Sequence, residues 1–519
     1  MNKIEIFDST LRDGAQGQGV SFSVSDKIKI TKTLDDFGVD YIEAGFPASN
    51  PKDEEFFERM KKEKLKNAKL CAFGRTAKHG TSPKDDPAVQ SLVASGADAL
   101  CIFGKTSVSH IQNVLGITDE ENLVLIKETV KYLKSYAQEV IFDAEHFYAG
   151  YSENKEYAMK VLKTAEESGA DVLCLCDTNG ETMPYEAYEI TKEVCSAFPN
   201  TRIGVHFHDD TGCAVANSIL ATKAGARQIQ GTFLGFGERC GNADLSVILP
   251  NLKFKYGFEF PCEMKNLKKT ANKISEISNV GIRPNKPYIG KNAFHHKAGM
   301  HVDAVKKHTS SFEHIDPALV GNERKFLLSE MSGRNTLLDH VRAIMPDVDK
   351  NSPELLTALE VLKEKEHFGY HYEAAEASLK LLLERTFYKY NPRFEVLLYK
   401  TTDDYPSGTG GMTSGAMVQI KVNDKTEISA SLGNGPVNAL DSALRRALIV
   451  FYPQISEMRL ADFKVRVIDS GTSTAAKVRV LIESTDGKEN WTTVGVSHDI
   501  IEACFIALVD SFEYKLSNS

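Results

Sequence analysis

Short apolar runs recur between polar loops and helix-like stretches along the first 255 residues. The eight runs are Ile4–Phe7, Tyr41–Phe46, Leu70–Phe73, Ala99–Phe103, Val140–Phe142, Val172–Cys176, Ile203–Phe207 and Ile229–Leu234. Their starts lie 26 to 41 residues apart, which is the length of one strand, loop and helix. Near-continuous apolar character is typical of parallel strands that helices cover on both faces. The pattern predicts eight βα units, and therefore an α/β fold with a (β/α)8 TIM barrel over residues 1–260.

Residues 261–390 do not continue this alternation of apolar runs and helix-like stretches. Ser352–Glu366 and Tyr372–Thr386 place apolar residues three or four positions apart, which is the spacing of one helix face. We therefore expect mostly helical linker subdomains between residues 261 and 390.

Residues 391–519 carry a duplicated pattern. Two strand-like segments and a helix-like one at Met417–Val422, Glu427–Leu432 and Pro436–Phe451 are repeated at Lys477–Ile482, Trp491–Val496 and Asp499–Phe512. With a shift of 64 residues, Leu432, Ala439, Ala443 and Leu444 coincide with Val496, Ala503, Ala507 and Leu508. We predict a duplicated α+β domain, with the glycine-rich stretch Ser407–Gly411 as a flexible loop inside it.

Charge and hydropathy exclude some classes of partner. The chain has 62 Lys and Arg against 71 Asp and Glu, a net charge of −9, and interleaves both signs, which disfavours a nucleic-acid partner. It has no signal-like start and no run of about 18 apolar residues, so we expect a cytoplasmic protein without a membrane partner. Its nine cysteines include no CxxC pair and indicate buried, reduced thiols.

Polar side chains follow the predicted strands, at the end of the barrel where such folds carry their chemistry. They are Arg12, Asp13, Glu43, Arg75, Lys105, Glu145, Asp177, Thr178, His206, His208 and Thr232. Any one of them alone is as compatible with a structural role as with a functional one. Their shared position is what indicates a site.

The seventh strand ends in the pattern His-x-His. Residues two apart on a strand share a face, so His206 and His208 point the same way and Phe207 points to the other side. Two neutral imidazoles on one face can hold a divalent cation, although a hydrogen-bonded structural pair is the alternative. Asp13 after the first strand and Asn242 after the eighth are oxygen donors near the seventh strand in a closed barrel.

These segments resemble three signatures of the 2-isopropylmalate, homocitrate and citramalate synthase family. The signatures correspond to Phe7–Gln16 with Lys27, His206–Gly212 and Gly237–Asn242, and the similarity continues through His296–His301, Ser332–Arg334 and Gly433–Ala439. It covers essentially the whole chain. Within the family, Leu11–Ser23 and Ser49–Asp53 are most similar to the long citramalate synthases.

The resemblance implies an acyltransferase that condenses acetyl-CoA with a 2-oxo acid in a Claisen-type reaction and then hydrolyses the thioester. For the citramalate branch the oxo acid would be pyruvate and the product (R)-citramalate, which leads toward isoleucine. By motif match Asp13, His206, His208 and Asn242 would hold a divalent cation, and the donor set suits magnesium, manganese or zinc. Arg12 would place a fixed positive charge beside the ketone, and Thr178 and Glu145 would contact the oxo acid.

The resemblance also implies a base from the middle region. His301 matches the family histidine that acts on the acetyl methyl group, and Asp303 follows it by two positions. Without the motif, a histidine among His295, His296 and His308 would be read as a solvated loop residue. Phe312 departs from the family, since many relatives have a tyrosine there and phenylalanine has no hydroxyl.

The C-terminal duplication resembles the feedback domain of the family. It implies a homodimer and a branched-chain amino acid effector, for which we expect isoleucine. Gly433-Asn434-Gly435 before a helix would offer backbone N–H groups to the carboxylate of that amino acid, although a glycine-rich turn is the alternative.

Three other functions stay open at this point. The chain could be a 2-isopropylmalate or homocitrate synthase, because the barrel signatures do not separate the substrates. It could also be an amino-acid sensor with impaired catalysis, which Phe312 alone favours and the intact ligand set disfavours.

Overall fold

The computed structural model describes residues 3–326, 338, 341–342, 349, 352–387, 391–403, 414–468, 475–487 and 489–518. The chain forms two compact units that interleave in sequence. The barrel unit comprises Met1–Phe294 and His314–Arg324, and the second unit comprises His295–Glu313 and Lys325–Ser519. The division into three domains at residues 260 and 390 stays a prediction.

Eight parallel strands close into a barrel within residues 3–326, which confirms the predicted TIM barrel. They are β1 (Glu5–Asp8), β2 (Tyr41–Glu43), β3 (Lys69–Arg75), β4 (Ala99–Lys105), β5 (Glu139–Glu145), β6 (Val172–Asp177), β7 (Arg202–Phe207) and β8 (Gln228–Gly231). β1 pairs with both β2 and β8, with Phe7 opposite Tyr41 and Gln230. Two predicted strands are shorter than expected: β2 ends at Glu43, and Leu234 has a left-handed backbone outside β8.

Helices follow the strands and carry their own stop and start signals. The longer ones in the barrel unit are Val24–Phe37, Pro51–Met60, Pro87–Ser95, Asp119–Lys134, Phe147–Glu153, Lys155–Glu167, Pro184–Ala197, Ala214–Ala224, Leu245–Tyr256 and Leu267–Ser278. The first begins at a capping box between Ser23 and Asp26 and ends at Gly38, whose φ is 95°. A short helix, Val108–His110, and a π-helical turn, Ile111–Leu115, precede Asp119–Lys134.

Alternate strand residues fill two separate layers. Phe7, Tyr41, Cys71, Cys101, Ile141, Val172, Cys174 and Cys176 pack inside the barrel. Their neighbours in sequence, such as Ile6, Ile42, Phe142 and Leu173, pack outward against the helices. Because the side-chain period of a strand is two, this register decides which polar residues reach the inside of the barrel.

A network of ion pairs closes the amino end of the barrel. The Arg202 guanidinium lies 2.7 Å from Glu5 Oε1 and also pairs with Glu139. Lys69 Nζ lies 2.6 Å from Glu139 Oε2, and the Tyr41 hydroxyl donates a 2.9 Å hydrogen bond to Glu139 Oε1. Two carboxylates here face two cations.

The middle region is mostly helical where the structure describes it, as predicted. Its helices are Gly299–Lys307, Pro353–Phe368 and Glu376–Phe387, and two short strands, β9 (His295–His296) and β10 (Lys325–Phe326), pair in parallel. The motif segment Ser332-Gly333-Arg334 lies outside the described residues, as does the predicted loop Ser407–Gly411.

The C-terminal region contains two similar halves, which agrees with the predicted duplication. Each half is a three-stranded antiparallel sheet followed by a helix. The first has β11 (Glu395–Asp403), β12 (Ser414–Val422), β13 (Lys425–Gly433) and helix Pro436–Ile449; the second has β14 (Arg459–Val467), β15 (Val478–Thr485), β16 (Asn490–Ser497) and helix Ile500–Ser517. The sequence pattern missed β11 and β14, because charged and apolar residues mix along these largely exposed edge strands.

The equivalent positions Leu432 and Val496 lie in different surroundings. Leu432 on β13 is 66% exposed, whereas Val496 on β16 is 2% exposed. Val496 packs in a cluster with residues of the helix Glu376–Phe387, which covers that face of its sheet. The apolar repeat therefore places Leu432 and Val496 at equivalent positions of the two sheets, but of these two residues only Val496 is buried.

Within the described residues, no helix combines the length and apolar character needed to cross a membrane.

Candidate active site

The carboxyl ends of β1 and β7 bring three donor atoms together. His206 and His208 point to the inside of the barrel, while Phe207 packs in the outer layer, as their alternation predicts. Asp13 Oδ2 lies 3.1 Å from His206 Nε2 and 3.7 Å from His208 Nε2, and the two imidazole nitrogens are 3.4 Å apart. Two atoms that bind one ion at about 2.1 Å lie roughly 3.0 to 3.4 Å apart. Two of the three distances have the spacing of ligands to one cation, and the third, between Asp13 and His208, is about 0.3 Å longer.

Asn242 lies next to His208, on the loop after β8. Its backbone forms an antiparallel bridge with His208, and its Nδ2 donates a 3.2 Å hydrogen bond to the Phe236 carbonyl. That bond leaves the buried Oδ1 without a hydrogen-bond partner among the described residues. A Cβ on Gly237, whose φ is 159°, would overlap the Asn242 amide, so the loop needs glycine there. A buried acceptor oxygen without a donor is costly, and a cation would satisfy it.

A hydrogen-bond chain sets the orientation of the first imidazole. Gln230 Nε2 donates to Asp143 Oδ1 at 3.2 Å, so Gln230 Oε1 is the acceptor for His206 Nδ1–H at 3.0 Å. Because Gln230 holds the Nδ1 proton in place, the proton that His206 Nε2 donates to Asp13 is the one that a cation would replace. This is the arrangement of a metal-ligating histidine supported by its neighbours.

The charges of the donors also suit a cation. Burial alone would raise the pKa of Asp13, but Arg12 and the hydrogen bond from His206 outweigh it and hold that pKa far below its usual range. Burial, together with the charge of His206, lowers the pKa of His208 to about 4. His208 is therefore a neutral imidazole near pH 7, which is the form that binds metals.

Arg12 lies at the centre of several carboxylates. Its Nε lies 2.7 Å from Glu43 Oε2, its Nη1 lies 3.3 Å from Asp13 Oδ2, and its guanidinium stacks 3.8 Å from the Phe73 ring centre. Glu43, Asp13 and Asp143 all act on the Arg12 charge. Burial and Asp143 raise the pKa of Glu43 despite the opposing effect of Arg12. One guanidinium is thus shared among three buried carboxylates.

A cavity of about 220 Å³ opens beside these groups. Its lining contains the predicted site residues Arg12, Asp13, Glu145, Thr178, His206 and His208, together with Gln16, Phe73, Phe103, Asp143, Cys176, Glu238 and Arg239. Glu145 forms a 2.6 Å ion pair with Lys105. A larger cavity of about 880 Å³ lies elsewhere on the barrel unit, between the loop His79–Pro83 and the helix Asp119–Lys134, away from these donors.

Sequence reasoning missed some residues of this lining. Asp143 follows the apolar run Val140–Phe142, from which the sequence predicts the fifth strand, whereas β5 continues to Glu145. The period of two carries Asp143 to the inside together with Ile141, so the alternation contained the signal. The sequence contains no such signal for Arg239, because this residue lies on a loop, with a left-handed φ of 55°.

His301 and Asp303 belong to the second unit. Both lie on the helix Gly299–Lys307, with His301 exposed and its ring stacked on Phe312 at a centroid distance of 4.0 Å. Asp303 forms a 2.7 Å ion pair with Lys307. Side chains two apart on a helix do not share a face, so the helix itself does not bring His301 and Asp303 together.

The Gly433–Gly435 turn joins β13 to the next helix. The Asn434 N–H donates a 3.2 Å hydrogen bond to Asn438 Oδ1, and Pro436 at the first helical position has no N–H. Fewer backbone donors are available here than the glycine-rich sequence alone suggests.

Family models match three parts of the chain. Residues 3–274 match the HMGL-like family, residues 288–365 match the homocitrate synthase post-HMGL domain-like family, and residues 373–516 match the LeuA allosteric (dimerisation) domain. These segments correspond to the barrel, the linker region and the duplicated domain.

Curated relatives match nearly the full length. An (R)-citramalate synthase from Aquifex aeolicus is 51% identical over 99% of this chain and 98% of its own length. An (R)-citramalate synthase from Geobacter sulfurreducens is 45% identical over 100% of this chain and 98% of its own. Among solved structures, an HMG-CoA lyase from Bacillus subtilis aligns at 22% identity with a TM-score of 0.47, over 54% of this chain and 95% of its own.

Proposed function

The chain belongs to the (R)-citramalate synthases of the HMGL-like family, and we propose that its barrel condenses acetyl-CoA with pyruvate to give (R)-citramalate and free CoA. It is an acyltransferase, in which the acetyl group becomes an alkyl group on transfer. The product has the carbon skeleton expected of an intermediate on the way to isoleucine. The observation that carries the proposal is the cluster of Asp13, His206 and His208 beside Arg12 in a small buried cavity.

A divalent cation is the cofactor that this cluster suits. Asp13, His206, His208 and Asn242 would hold it, and it would supply Lewis acidity toward the ketone oxygen of the oxo acid. Two imidazoles with two oxygen donors and no thiolate suit magnesium, manganese or zinc. The buried Asn242 Oδ1 without a donor supports this assignment.

Two side chains of the chain itself would bind pyruvate. Arg12, fixed by Glu43 and Asp13, directs positive charge to the place where the ketone oxygen becomes an alkoxide. Thr178 lines the same cavity and offers a hydroxyl to the carboxylate of the oxo acid. Glu145 lies beside them and forms an ion pair with Lys105.

The cavity is small and is bounded by aromatic rings. Phe73 and Phe103 stack at a centroid distance of 5.5 Å and contribute rigid rings to its lining. A volume of about 220 Å³ is below the range of about 300–1,000 Å³ typical of pockets for drug-sized ligands.

The substrate proposal is tested by measuring free CoA thiol released from acetyl-CoA with pyruvate, 2-oxoisovalerate and 2-oxoglutarate in turn. We expect the highest kcat/KM with pyruvate. A preference for either larger acid would move the chain to a sister activity with the same cation chemistry. Absence of CoA release with every acid would support a sensor without catalysis.

We further propose that His301 removes the methyl proton of acetyl-CoA, with Asp303 supporting the same helix. The ring stacked on it is Phe312, which has no hydroxyl, so His301 would act without that hydroxyl. The test is the exchange of acetyl methyl protons with solvent in the presence of a non-condensing pyruvate analogue. His301→Ala should slow this exchange while pyruvate binding stays intact; unchanged exchange would remove His301 from this role.

The duplicated domain supports a homodimer with a branched-chain amino acid as feedback effector, and isoleucine is the effector we propose. The first sheet has an uncovered apolar face, with Leu398, Ile428 and Leu432 all exposed. A cavity of about 500 Å³ on this sheet is lined by Thr402, Met417, Leu432 and Arg446 among others. Calorimetric titration of the full chain with isoleucine and with leucine tests the effector; binding of neither would refute it.

The cysteines support a cytoplasmic location. All nine are free thiols, and six of them are buried. Free thiols in this number are typical of a reducing compartment.

A further inference from the structure

Two left-handed residues converge on one threonine of the cavity. His146 has φ 58° and ψ 35°, and Arg239 has φ 55°. Both form hydrogen bonds with Thr178. Left-handed backbone is uncommon for residues other than glycine, and such strain concentrates at functional sites.

The backbone of His146 holds the Thr178 hydroxyl. His146 follows Glu145 at the end of β5 and begins the helix Phe147–Glu153. Its N–H donates a 2.9 Å hydrogen bond to Thr178 Oγ1. The direction of this N–H depends on the turn that the left-handed conformation makes between strand and helix.

The side chain of Arg239 binds the backbone of Thr178. Its Nη2 donates a 2.9 Å hydrogen bond to the Thr178 carbonyl. Asp210 fixes the guanidinium, with contacts of 2.8 Å to Nε and 2.9 Å to Nη2. Thr178 is therefore anchored at both its carbonyl and its hydroxyl.

The hydroxyl anchor decides what Thr178 can offer the cavity. A hydroxyl has one hydrogen to donate and two lone pairs to accept with. The His146 N–H donates to one lone pair of Thr178 Oγ1, so the hydroxyl hydrogen of Thr178 stays available. No described residue accepts that hydrogen. The hydroxyl in the cavity lining can then donate to a carboxylate oxygen.

We propose that His146 is a positioning residue, whose left-handed backbone amide orients the Thr178 hydroxyl as a donor to the carboxylate of the 2-oxo acid. This inference rests on the proposed function, since it takes the oxo acid as the ligand of the cavity. The role belongs to the backbone and not to the imidazole. The ring is buried and packs against His110 at a centroid distance of 3.8 Å, with the two ring planes tilted by 35°.

Substitutions that differ in their tolerance of left-handed backbone test this role. His146→Gly, His146→Ala and His146→Val all remove the ring, but glycine adopts the conformation freely, alanine at some cost and valine poorly. We expect the KM for pyruvate to rise in the order Gly, Ala, Val, with the Val variant about fivefold to tenfold above the Gly variant, as expected for one hydrogen bond. The KM for acetyl-CoA should not follow this order. If the Val variant does not fold, the Gly and Ala variants still give the comparison.

A double-mutant test separates positioning from a general structural effect. Thr178→Val removes the hydroxyl and keeps the shape of the side chain. In that background the Gly and Val variants of residue 146 should have the same KM for pyruvate, because there is no hydroxyl left to orient. A persisting difference would overturn the proposal.

A matched control addresses strain alone. Asn279 also has a left-handed backbone, with φ 55°, but it ends the helix Leu267–Ser278 on the surface. Asn279→Val should lower the melting temperature and leave the KM for pyruvate unchanged.

The remaining outcomes also decide the question. Equal KM values for pyruvate in all three His146 variants, raised above the wild type, would assign the effect to the imidazole and overturn the proposal. Equal values at the wild-type level would overturn it as well. If the wild-type enzyme does not turn over pyruvate at all, the proposed function has failed, and this is distinguishable because it precedes any variant.

Discussion

Both ends of the barrel carry a cluster of charged side chains, and the two clusters differ in how their charges are balanced. At the amino end, Glu5 and Glu139 face Lys69 and Arg202, and the contacts pair each carboxylate with a cation. At the carboxyl end, Asp13, Glu43 and Asp143 surround the single guanidinium of Arg12. The same fold thus has one cluster with matched charges and one with an excess of negative charge.

Buried polar atoms without a hydrogen-bond partner among the described residues are more numerous near the carboxyl end, although Gln228 Oε1 at the amino end is one of them. Near the carboxyl end, Glu43 Oε1, His208 Nδ1 and Asn242 Oδ1 are buried without a hydrogen-bond partner among the described residues. Buried groups of this kind cost stability unless something binds them. The amino end therefore stabilises the barrel, whereas the carboxyl end suits the proposed cation and anionic substrate.

The largest effect we expect comes from a ligand of the carboxyl end. His208→Ala should lower kcat/KM for pyruvate by at least about 100-fold, because the substitution removes the neutral imidazole that is the proposed metal ligand. The fold should persist, since the chain carries this histidine at a cost in desolvation. Steady-state CoA release and circular dichroism measure the two effects. Near-normal turnover in this variant would break the assignment.

The next effect concerns the geometry of Arg12. Arg12→Lys keeps the charge but loses the planar fork that reaches both Glu43 and Asp13. We expect a loss of about 10- to 100-fold in kcat/KM with any 2-oxo acid, because a lysine presents one point charge. Loss of activity toward only one acid would show that Arg12 contributes to specificity instead.

The amino end should respond in stability and not in turnover. Arg202→Ala leaves Glu139, which is 5% exposed, short of one partner. We expect a loss of about 1–2 kcal/mol in the free energy of unfolding, because Arg202 is itself partly exposed and its pairs are screened by solvent. Denaturant unfolding measures the loss, and kcat/KM should stay within about twofold of the wild type at a temperature where both are folded. A large fall in kcat with unchanged stability would contradict the division of roles.

The smallest effect is a difference in pH dependence between two carboxyl groups. Burial raises the pKa of Asp8, at the end of β1, to about 7, against about 3.9 in an unfolded chain. Between these values the folded state binds a proton that the unfolded chain does not, so this group's contribution to stability falls as the pH rises from about 4 to about 7. Asp8→Asn should therefore gain about 1 kcal/mol relative to the wild type above pH 7, and little near pH 4.

Glu139 at the amino end should behave in the opposite way. Burial alone would raise its pKa, but Lys69 and Arg202 outweigh it and lower the pKa. Its contribution is then present above the unfolded pKa of about 4.3 and is lost as the pH falls through the folded value. Glu139→Gln should cost stability at pH 7 and cost less at pH 3. Parallel pH curves for the Asp8 and Glu139 variants would break the comparison.

The barrel, and the shared position of most residues of the proposed cation site, were predictable from the spacing of apolar and polar residues in the sequence. Apolar runs at strand–helix spacing predict the barrel, and the alternation around Phe207 predicts that His206 and His208 share a face. Asp143 was missed because the apolar run before it ended the predicted strand too early. The convergence of His146 and Arg239 on Thr178 depends on left-handed backbone angles. The sequence does not indicate such angles at residues other than glycine.

The second unit was less predictable than the barrel. The strands β11 and β14 lie at sheet edges, where exposed charged residues obscure the alternation. The sequence also did not distinguish Leu432 from Val496, because burial of the second depends on a helix from another part of the chain.

The central claim is that condensation depends on a divalent cation held at the carboxyl end of the barrel. The most direct measurement is CoA release from acetyl-CoA and pyruvate by enzyme freed of metal with a chelator, then titrated with magnesium, manganese or zinc. We predict no turnover before the titration, recovery with at least one of these ions in the wild type, and no recovery in His208→Ala. Full turnover by the chelated wild-type enzyme, or equal recovery in the variant, would contradict the account.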